Sequence, residues 1–192
     1  MISIEENKTR FLQICKEHIS RDGVDKLLAW LEKSDFFEAP ASTRFHGSYE
    51  GGLLEHSLNV YDALSKLNTQ FHYEIPEESI AICALLHDIC KIGMYKKGYR
   101  NVKDENGAWV KKEVYEIDEK IPLGHGEKSC ILLQWYMKLK LEELLAIRWH
   151  MGGFDSAVKG GDFGEGNAYN QCKLAVLLHM ADMTATYLME VK

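Results

Sequence analysis

Histidine and aspartate side chains recur in this sequence at positions where helical periodicity turns them toward the interior. His56 lies on the apolar stripe of one predicted helix, and His87 and Asp88 interrupt the apolar run "ALLHDICKIG" of the next. Asp182 falls on the core side of a late helix. Burying such groups is unfavourable unless each has a partner, so the pattern indicates a shared polar site inside the protein.

A metal ion explains these side chains better than separate hydrogen bonds do. A single buried histidine usually bonds a backbone carbonyl, and a His-Asp pair alone is weak evidence for a site. Here one small bundle would need several unrelated networks, because His125 in "PLGHGEKS" and His150 after "ELLAIRW" are further candidates. One or two divalent ions between facing helices would satisfy the whole set. Nitrogen and oxygen donors suit Fe, Mn, Ni, Co or Zn, with Mg also acceptable.

The elements that must position these residues are predicted to be mainly helical. Apolar residues at helical spacing predict seven helices, at residues 3–19, 23–33, 53–71, 77–93, 125–139, 141–151 and 170–189. Asn106-Gly107 is a strong turn signal and predicts a β-hairpin near residues 95–118. The glycine-rich segment 152–169 is predicted to be a long loop. The expected fold class is therefore all-α, a bundle of about seven helices with one inserted hairpin.

Length and composition favour one globular domain. The chain has 192 residues, 46% of them hydrophobic, which is enough to bury a single core. We expect one domain over 1–192, in which helices within 1–40 pack on a core region at 45–185. The formal net charge of −6 disfavours tight, non-specific binding to duplex nucleic acid.

Cysteine usage and hydropathy predict a cytoplasmic protein that does not contact a membrane. The chain has five cysteines, an odd number, and no two of them form a CxxC pair. This pattern is typical of reduced, buried cysteines. The opening residues "MISIEENKTRF" do not resemble a signal peptide. No apolar run approaches the roughly 18 residues that a membrane-spanning helix needs.

Three stretches resemble the successive motifs of the HD-domain superfamily of metal-dependent phosphohydrolases. They are "GGLLEHSLNV", "ALLHDICKIG" and "LLHMADM", and the resemblance covers roughly residues 45 to 185. The family pattern is a histidine on one helix, a His-Asp pair on the next and a distant aspartate on a late helix. "FHGSYEGGLLEHS" and the hairpin before "PLGHGEKS" look closest to the HD domain of certain bacterial 3′→5′ exoribonucleases, without their OB-fold, and of related stand-alone hydrolases.

The resemblance implies a ligand set and a reaction. It implies that a first metal is bound by His56, His87, Asp88 and Asp182. Members of the family with two metals have two further histidine ligands, and His125 and His150 match these in order. The resemblance then implies that Asp88 bridges the two ions. The implied activity is hydrolysis of a phosphoester in a nucleotide, a cyclic nucleotide or a short oligonucleotide by metal-activated water.

Three cationic or polar residues are candidates for substrate contact. Lys91 lies one turn after His87 and could neutralise charge on the phosphoryl group, or simply stabilise the helix C-terminus. His46 precedes a glycine-rich turn and could bind substrate or donate a proton, or be a surface residue. Arg148 could contact phosphate or be plain surface charge.

Two other functions remain open at this level. Some members of the same superfamily use a di-iron site to oxidise substrates with oxygen, and six candidate ligands would suit two irons. A non-catalytic nucleotide-binding module is the third hypothesis, although such a module has no chemical need for an activated-water site.

Overall fold

A computed structural model of the protein describes residues 3–190, so the two ends of the predicted unit 1–192 lie outside the described residues. Within this range the chain forms nine α-helices, α1 to α9, at Ile4–His18, Val24–Leu31, Gly52–Gln70, Glu77–Leu86, His125–Gln134, Leu141–Trp149, Ser156–Lys159, Gly164–Gln171 and Lys173–Thr184. Strands β1 and β2 are Tyr95–Lys103 and Trp109–Ile117. Short 3₁₀ helices occupy Ile89–Lys91 and Gly152–Phe154, and a π-helical turn occupies Ala185–Met189. The all-α class with one inserted hairpin is confirmed.

Two predicted elements differ from the structure. The helix expected to run to Gly93 ends at Leu86, and the chain then turns into the 3₁₀ helix Ile89–Lys91. The segment 152–169, predicted to be a loop, contains α7 and most of α8. One reason is that the Asp155 side chain caps α7 by accepting a hydrogen bond from the Ala157 amide at 2.8 Å, which glycine content alone does not indicate.

Helix α4 is the centre of the bundle. Its residues from Ile80 to Leu86 are completely buried, so it is apolar on every face rather than on one stripe. It packs against α1, α3 and α6, and α9 packs against α3 and α6. The residues that directly follow α4 therefore lie in the interior of the bundle.

The N-terminal helix packs on this bundle. α1 contacts α3 and α4, and the Phe11 ring lies 5.3 Å from Phe36 and 5.5 Å from Phe37, centroid to centroid. These aromatic contacts join the first helix and the following loop to the core. The assignment of 1–192 to a single domain nevertheless stays a prediction.

The hairpin lies on the outside of the bundle. β1 and β2 pair antiparallel, from Tyr95 opposite Ile117 to Lys103 opposite Trp109. The turn is closed by Asp104, whose side chain accepts hydrogen bonds from two backbone amides in the turn, each at 2.9 Å. None of the helices between residues 3 and 190 is both long and apolar enough to cross a bilayer.

A buried ion-pair network joins three parts of the fold away from the site. Glu143 of α6 is completely buried and accepts hydrogen bonds from Arg21 at 3.0 Å and from the Ser79 hydroxyl at 2.7 Å. Arg21, which precedes α2, also bonds Glu78 of α4 at 2.7 Å. Burial raises the pKa of Glu143, but the Arg21 guanidinium, with hydrogen bonds from the Lys140 amide and the Ser79 hydroxyl, outweighs burial and holds that pKa below its ordinary value of 4.5. The carboxylate is therefore ionised and fully paired.

We expect Arg21→Ala to lower the free energy of unfolding by about 3–5 kcal/mol, because it leaves a buried carboxylate without its cation. Urea unfolding monitored by circular dichroism measures this loss. Since the folded-state pKa of Glu143 is depressed, the stabilisation is present above about pH 4.5 and is lost as pH falls through the lower folded-state value. The difference between wild type and Arg21→Ala should shrink in that acidic range.

Arg10→Ala is the matched control, because the Arg10–Asp62 pair is largely exposed. Exposed pairs contribute about 0.2–1 kcal/mol, so this variant should be nearly as stable as wild type. Equal losses for the two variants would contradict the role assigned to the buried network.

Candidate metal centre

The three HD-like motifs meet at one point in the bundle. α3 supplies His56, the turn after α4 supplies His87 and Asp88, and α9 supplies Asp182. His56 Nε2 lies 3.3 Å from Asp182 Oδ1 and 3.6 Å from Asp88 Oδ2, and His87 Nε2 lies 3.5 Å from the same Asp88 oxygen. We call these four residues the first subsite. One donor atom from each of His56, His87 and Asp182 lies within 4.8 Å of the others, so the group could hold a metal ion.

The other oxygen of Asp88 faces two further histidines. Asp88 Oδ1 lies 2.6 Å from His125 Nε2, at the start of α5, and 3.5 Å from His150 Nε2, directly after α6. We call Asp88, His125 and His150 the second subsite. All six predicted ligands thus lie at one place, and each oxygen of the Asp88 carboxylate faces one subsite.

Three of the histidines are oriented by hydrogen bonds from their other ring nitrogen. His87 Nδ1 donates to the Ala84 carbonyl at 2.9 Å, and His150 Nδ1 donates to the Ile147 carbonyl at 2.6 Å. Both carbonyls lie in last helical turns, where backbone oxygens lack helical partners. His56 Nδ1 donates to Glu190 Oε1 at 3.0 Å. Each Nε2 is left facing the centre, as in metal-bound histidines.

Two of these nitrogens provide a test of whether a metal fits. His87 Nε2 and His150 Nε2 are buried and have no hydrogen-bond partner within residues 3–190. An unpaired buried polar group costs about 1–3 kcal/mol, so protein contacts alone leave this arrangement unexplained. Imidazole nitrogens that converge on a carboxylate are the donors that divalent transition ions take. The residues present therefore fit a metal.

Electrostatics in the site also favour a cation. Burial lowers the pKa of His56, but the Asp182 and Glu190 carboxylates outweigh burial and raise it to about 10. Burial likewise lowers the pKa of His125, but Cys90 and Asp88 outweigh burial and raise that pKa to about 10. The buried carboxylates therefore favour positive charge at these two imidazoles.

Lys91 places a further positive charge beside the Asp88 carboxylate. Its Nζ lies 2.6 Å from Asp88 Oδ2, and the residue is only 8% exposed. Burial raises the pKa of Asp88, but Lys91, His87 and His125 outweigh it and hold that pKa well below its ordinary value. Lys91 also lines the pocket described next.

A pocket of about 830 Å³ opens onto the centre. Asp88, Lys91, His125 and Asp182 line its floor, and Phe45, Phe154 and Tyr187 stand exposed around it. The volume lies in the range of ordinary small-molecule sites.

His46 forms part of the pocket wall. Its ring lies 4.8 Å from the His56 ring, centroid to centroid, and neither of its nitrogens has a hydrogen-bond partner among residues 3–190. Burial, His56 and Lys91 together lower the pKa of His46, which favours the neutral ring. A neutral imidazole can both donate and accept a hydrogen bond.

Glycines shape the turn that carries His46. The Ala41 amide donates to the Gly47 carbonyl at 2.9 Å, and Gly47 has a φ of +56°. A Cβ on Gly52, the first residue of α3, would lie 2.0 Å from the Gly47 carbonyl oxygen. The close approach of these two backbones, which the "FHGSYEGG" stretch allows, brings His46 over His56.

The comparison with known proteins agrees with this geometry. The HD domain family model matches residues 53–187, well over half of the chain. The chain belongs to the HD domain family. This confirms the resemblance to the superfamily of metal-dependent phosphohydrolases.

One curated relative of this HD domain has a named activity. Over 85 residues the chain is 34% identical to the dihydroneopterin 2′,3′-cyclic phosphate phosphodiesterase of Methanocaldococcus jannaschii. The match covers 42% of this chain and 32% of that relative, so the chain spans about a third of the relative's length. No solved structure matches the chain. The family and the relative's name support a phosphohydrolase without identifying its substrate.

One predicted contact residue of the HD domain lies elsewhere. Arg148 is not among the pocket-lining residues in the described part of the chain. It bonds Asp155 at 2.8 Å and Glu127 at 2.6 Å, and its guanidinium stacks 3.8 Å from the Trp149 ring centre. These contacts hold α5, α6 and the segment after α6 together, so Arg148 has a structural environment rather than a substrate-facing one.

Two residues at the site were missed by the sequence reasoning. Glu190 accepts hydrogen bonds from His56 and, at 3.0 Å, from Asn59, but it follows a π-helical turn and belongs to no motif. Cys90, interpreted as plain buried cysteine, has its Sγ 3.4 Å from His125 Nε2. Its position two residues after Asp88 was the signal that could have found it.

We expect Gly52→Ala to destabilise the protein by roughly 1–3 kcal/mol, the usual cost of inserting a methyl group into a packed contact. The added Cβ would collide with the Gly47 carbonyl and displace the turn that carries His46. Chemical denaturation gives the free energy. Gly153→Ala is the control, since a Cβ there meets no atom within 4 Å. Wild-type stability in Gly52→Ala would show that the close approach is not a constraint.

Proposed function

We propose that this protein is a metal-dependent phosphohydrolase that cleaves a phosphodiester in a small molecule carrying a planar ring. The observation that carries the proposal is the shared carboxylate. Asp88 directs one oxygen to each of two histidine-containing subsites, and both subsites lie at the floor of a pocket that Lys91 lines. Pairs of metal sites bridged in this way are typical of phosphoester-cleaving enzymes.

The proposed ligands are those of the two subsites. His56, His87, Asp88 and Asp182 would hold the first ion, and Asp88, His125 and His150 the second. The nitrogen and oxygen donors favour Fe, Mn, Co, Ni or Zn over Mg. When bound, such ions lower the pKa of a water molecule and offset negative charge on a phosphoryl group.

The chain's own residues would position the substrate. Lys91 presents a buried ammonium to the pocket, where it can bind a phosphoryl oxygen as a point charge. His46 presents a neutral ring from the wall, able to hydrogen-bond a substrate oxygen and to exchange a proton with it. Glu190 keeps the His56 Nδ1 proton in place and so holds Nε2 toward the centre.

Pocket shape supports a ring-bearing substrate of nucleotide size. The volume of about 830 Å³ suits such a molecule, and Phe45, Phe154 and Tyr187 offer exposed ring faces. Aromatic side chains at the edge of a phosphate site commonly stack on planar heterocycles. The relative named as a cyclic phosphate phosphodiesterase acts on a molecule of this general kind, which favours a diester over a monoester.

We expect His87→Ala and Asp88→Asn to lower kcat/KM for phosphodiester hydrolysis at least about 100-fold, because each removes a proposed ligand of the reaction centre. Nucleoside 2′,3′-cyclic phosphates and bis(p-nitrophenyl) phosphate are the substrates to use, on protein loaded in turn with Mn²⁺, Fe²⁺, Co²⁺ and Zn²⁺. A chelator should abolish turnover, and added metal should restore it.

His18→Ala is the matched control, since His18 ends α1 and lies outside the site. It should turn over like wild type. Full turnover in His87→Ala would contradict the hydrolase. Oxygen consumption without phosphoester cleavage would also contradict it and would indicate the di-iron alternative. Saturable nucleotide binding without turnover under every metal would contradict it as well and would indicate a binding module.

We expect Phe154→Ala to raise KM for a nucleoside cyclic phosphate about 5- to 100-fold, the range that one stacking contact supplies. KM for dimethyl phosphate or another diester without a ring should stay at the wild-type value. Phe163→Ala is the control, because Phe163 is highly exposed and is not among the pocket-lining residues described. An equal rise in KM for both substrates would contradict stacking at Phe154.

A further inference from the structure

We propose that the Cys90 thiol is a ligand of the second subsite, which makes that subsite a mixed nitrogen, oxygen and sulfur site selective for thiophilic ions. The inference rests on the proposed function for the presence of metal. It goes beyond it in assigning a donor that the HD-like motifs do not include.

The position of the sulfur carries the argument. Cys90 lies in the 3₁₀ helix that follows Asp88, is 1% exposed, and has its Sγ 3.4 Å from His125 Nε2. Donor atoms of Asp88, Cys90 and His125 all lie within 4.8 Å of one another. Atoms bonded to one transition ion at about 2.0–2.3 Å stand roughly 3–4 Å apart, so the sulfur lies at a ligand's distance from the imidazole.

A second observation points to a ligand at the same place. His150 Nε2 is completely buried, has no hydrogen-bond partner in the described chain, and lies 3.5 Å from Asp88 Oδ1. His125 and His150 therefore both approach the same carboxylate oxygen, and the Cys90 sulfur lies beside His125. The donor atoms of Asp88, Cys90 and His125 form one possible ligand group, and His150, which forms another with His87 and Asp88, shares the Asp88 carboxylate with it.

The fold holds Cys90 in this position. Its backbone amide donates to the Ser129 hydroxyl at 3.2 Å, and Ser129 lies one turn after His125 on α5. The same helix thus positions the imidazole directly and the thiol through its backbone. A Cβ on Gly126 would lie 2.2 Å from the Arg148 carbonyl, so α5 also packs tightly on the helix that precedes His150.

Cys90 differs from the other cysteines in what surrounds it. Cys15, Cys83 and Cys172 belong to the apolar core cluster, whereas Cys90, among the described residues, does not. Cys130 sits on α5 but directs its sulfur to the Leu144 carbonyl at 3.6 Å, away from the centre. A cysteine that merely filled space would not need an imidazole as its neighbour.

A sulfur donor changes which ion the subsite prefers. Thiolate ligands select Zn²⁺, Co²⁺ and Fe²⁺ over the hard ions Mn²⁺ and Mg²⁺, while the first subsite has nitrogen and oxygen donors only. The thiol proton passes to solvent as the sulfur–metal bond forms, and no oxidant or reductant takes part. The two subsites are therefore expected to differ in metal preference.

Cobalt substitution tests the assignment without reference to activity. Full-length protein loaded with Co²⁺ should show a near-ultraviolet thiolate-to-cobalt charge-transfer band, which Cys90→Ser should lose while still binding the first ion. Equilibrium dialysis should show that Cys90→Ser binds its weaker Zn²⁺ ion at least about tenfold less tightly than wild type does. Loss of even a hydrogen-bond partner of a metal ligand lowers metal affinity by about that factor. Cys130→Ser is the matched control and should keep both the band and the affinity.

X-ray absorption on wild-type protein loaded with Zn²⁺ supplies a test that needs no variant. A sulfur neighbour at about 2.3 Å supports the assignment, and a shell of nitrogen and oxygen only overturns it. Two cobalt ions per chain with no charge-transfer band, or a band unchanged in Cys90→Ser, would also overturn it while leaving the proposed hydrolase intact. Failure of wild type to bind any of these metals would instead remove the proposed function together with this inference.

Discussion

The buried carboxylate of Asp88 is the constraint around which the rest of the site is arranged. It is 3% exposed and lies at the end of the most apolar helix of the bundle. A charge in that position is tolerable only when cations or hydrogen-bond donors surround it. Lys91 and the converging imidazoles meet that requirement on both oxygens, and the same crowding makes the place suitable for a divalent ion.

The C-terminal ends of α4 and α6 each have two structural roles at the candidate metal centre. His87 and His150 each follow the last residue of a helix and use Nδ1 to satisfy a carbonyl that the helix leaves open. That bond also sets the ring so that Nε2 faces the centre. The same hydrogen bonds therefore satisfy carbonyls at the ends of α4 and α6 and orient two proposed ligands.

The fold treats its buried polar groups in two contrasting ways. The Glu143 network is fully paired, with Arg21 and Ser79 as partners, and serves to join helices. At the centre, by contrast, the inward nitrogens of His87 and His150 have no hydrogen-bond partner within the described chain. A protein that satisfies one buried cluster completely and leaves another open retains the second at a cost in stability, which binding of a ligand would offset.

Sequence alone determined the fold class and which residues face inward, because helical periodicity is a local property that apolar spacing records. Periodicity placed His56, His87, Asp88 and Asp182 toward the interior, and the family resemblance added His125 and His150 to the predicted ligand set. Only the tertiary structure decided that Glu190 orients His56, that the Cys90 sulfur faces His125, and that Arg148 is held by carboxylates away from the pocket. Contacts between residues far apart in the chain depend on how helices pack, and no local pattern encodes them.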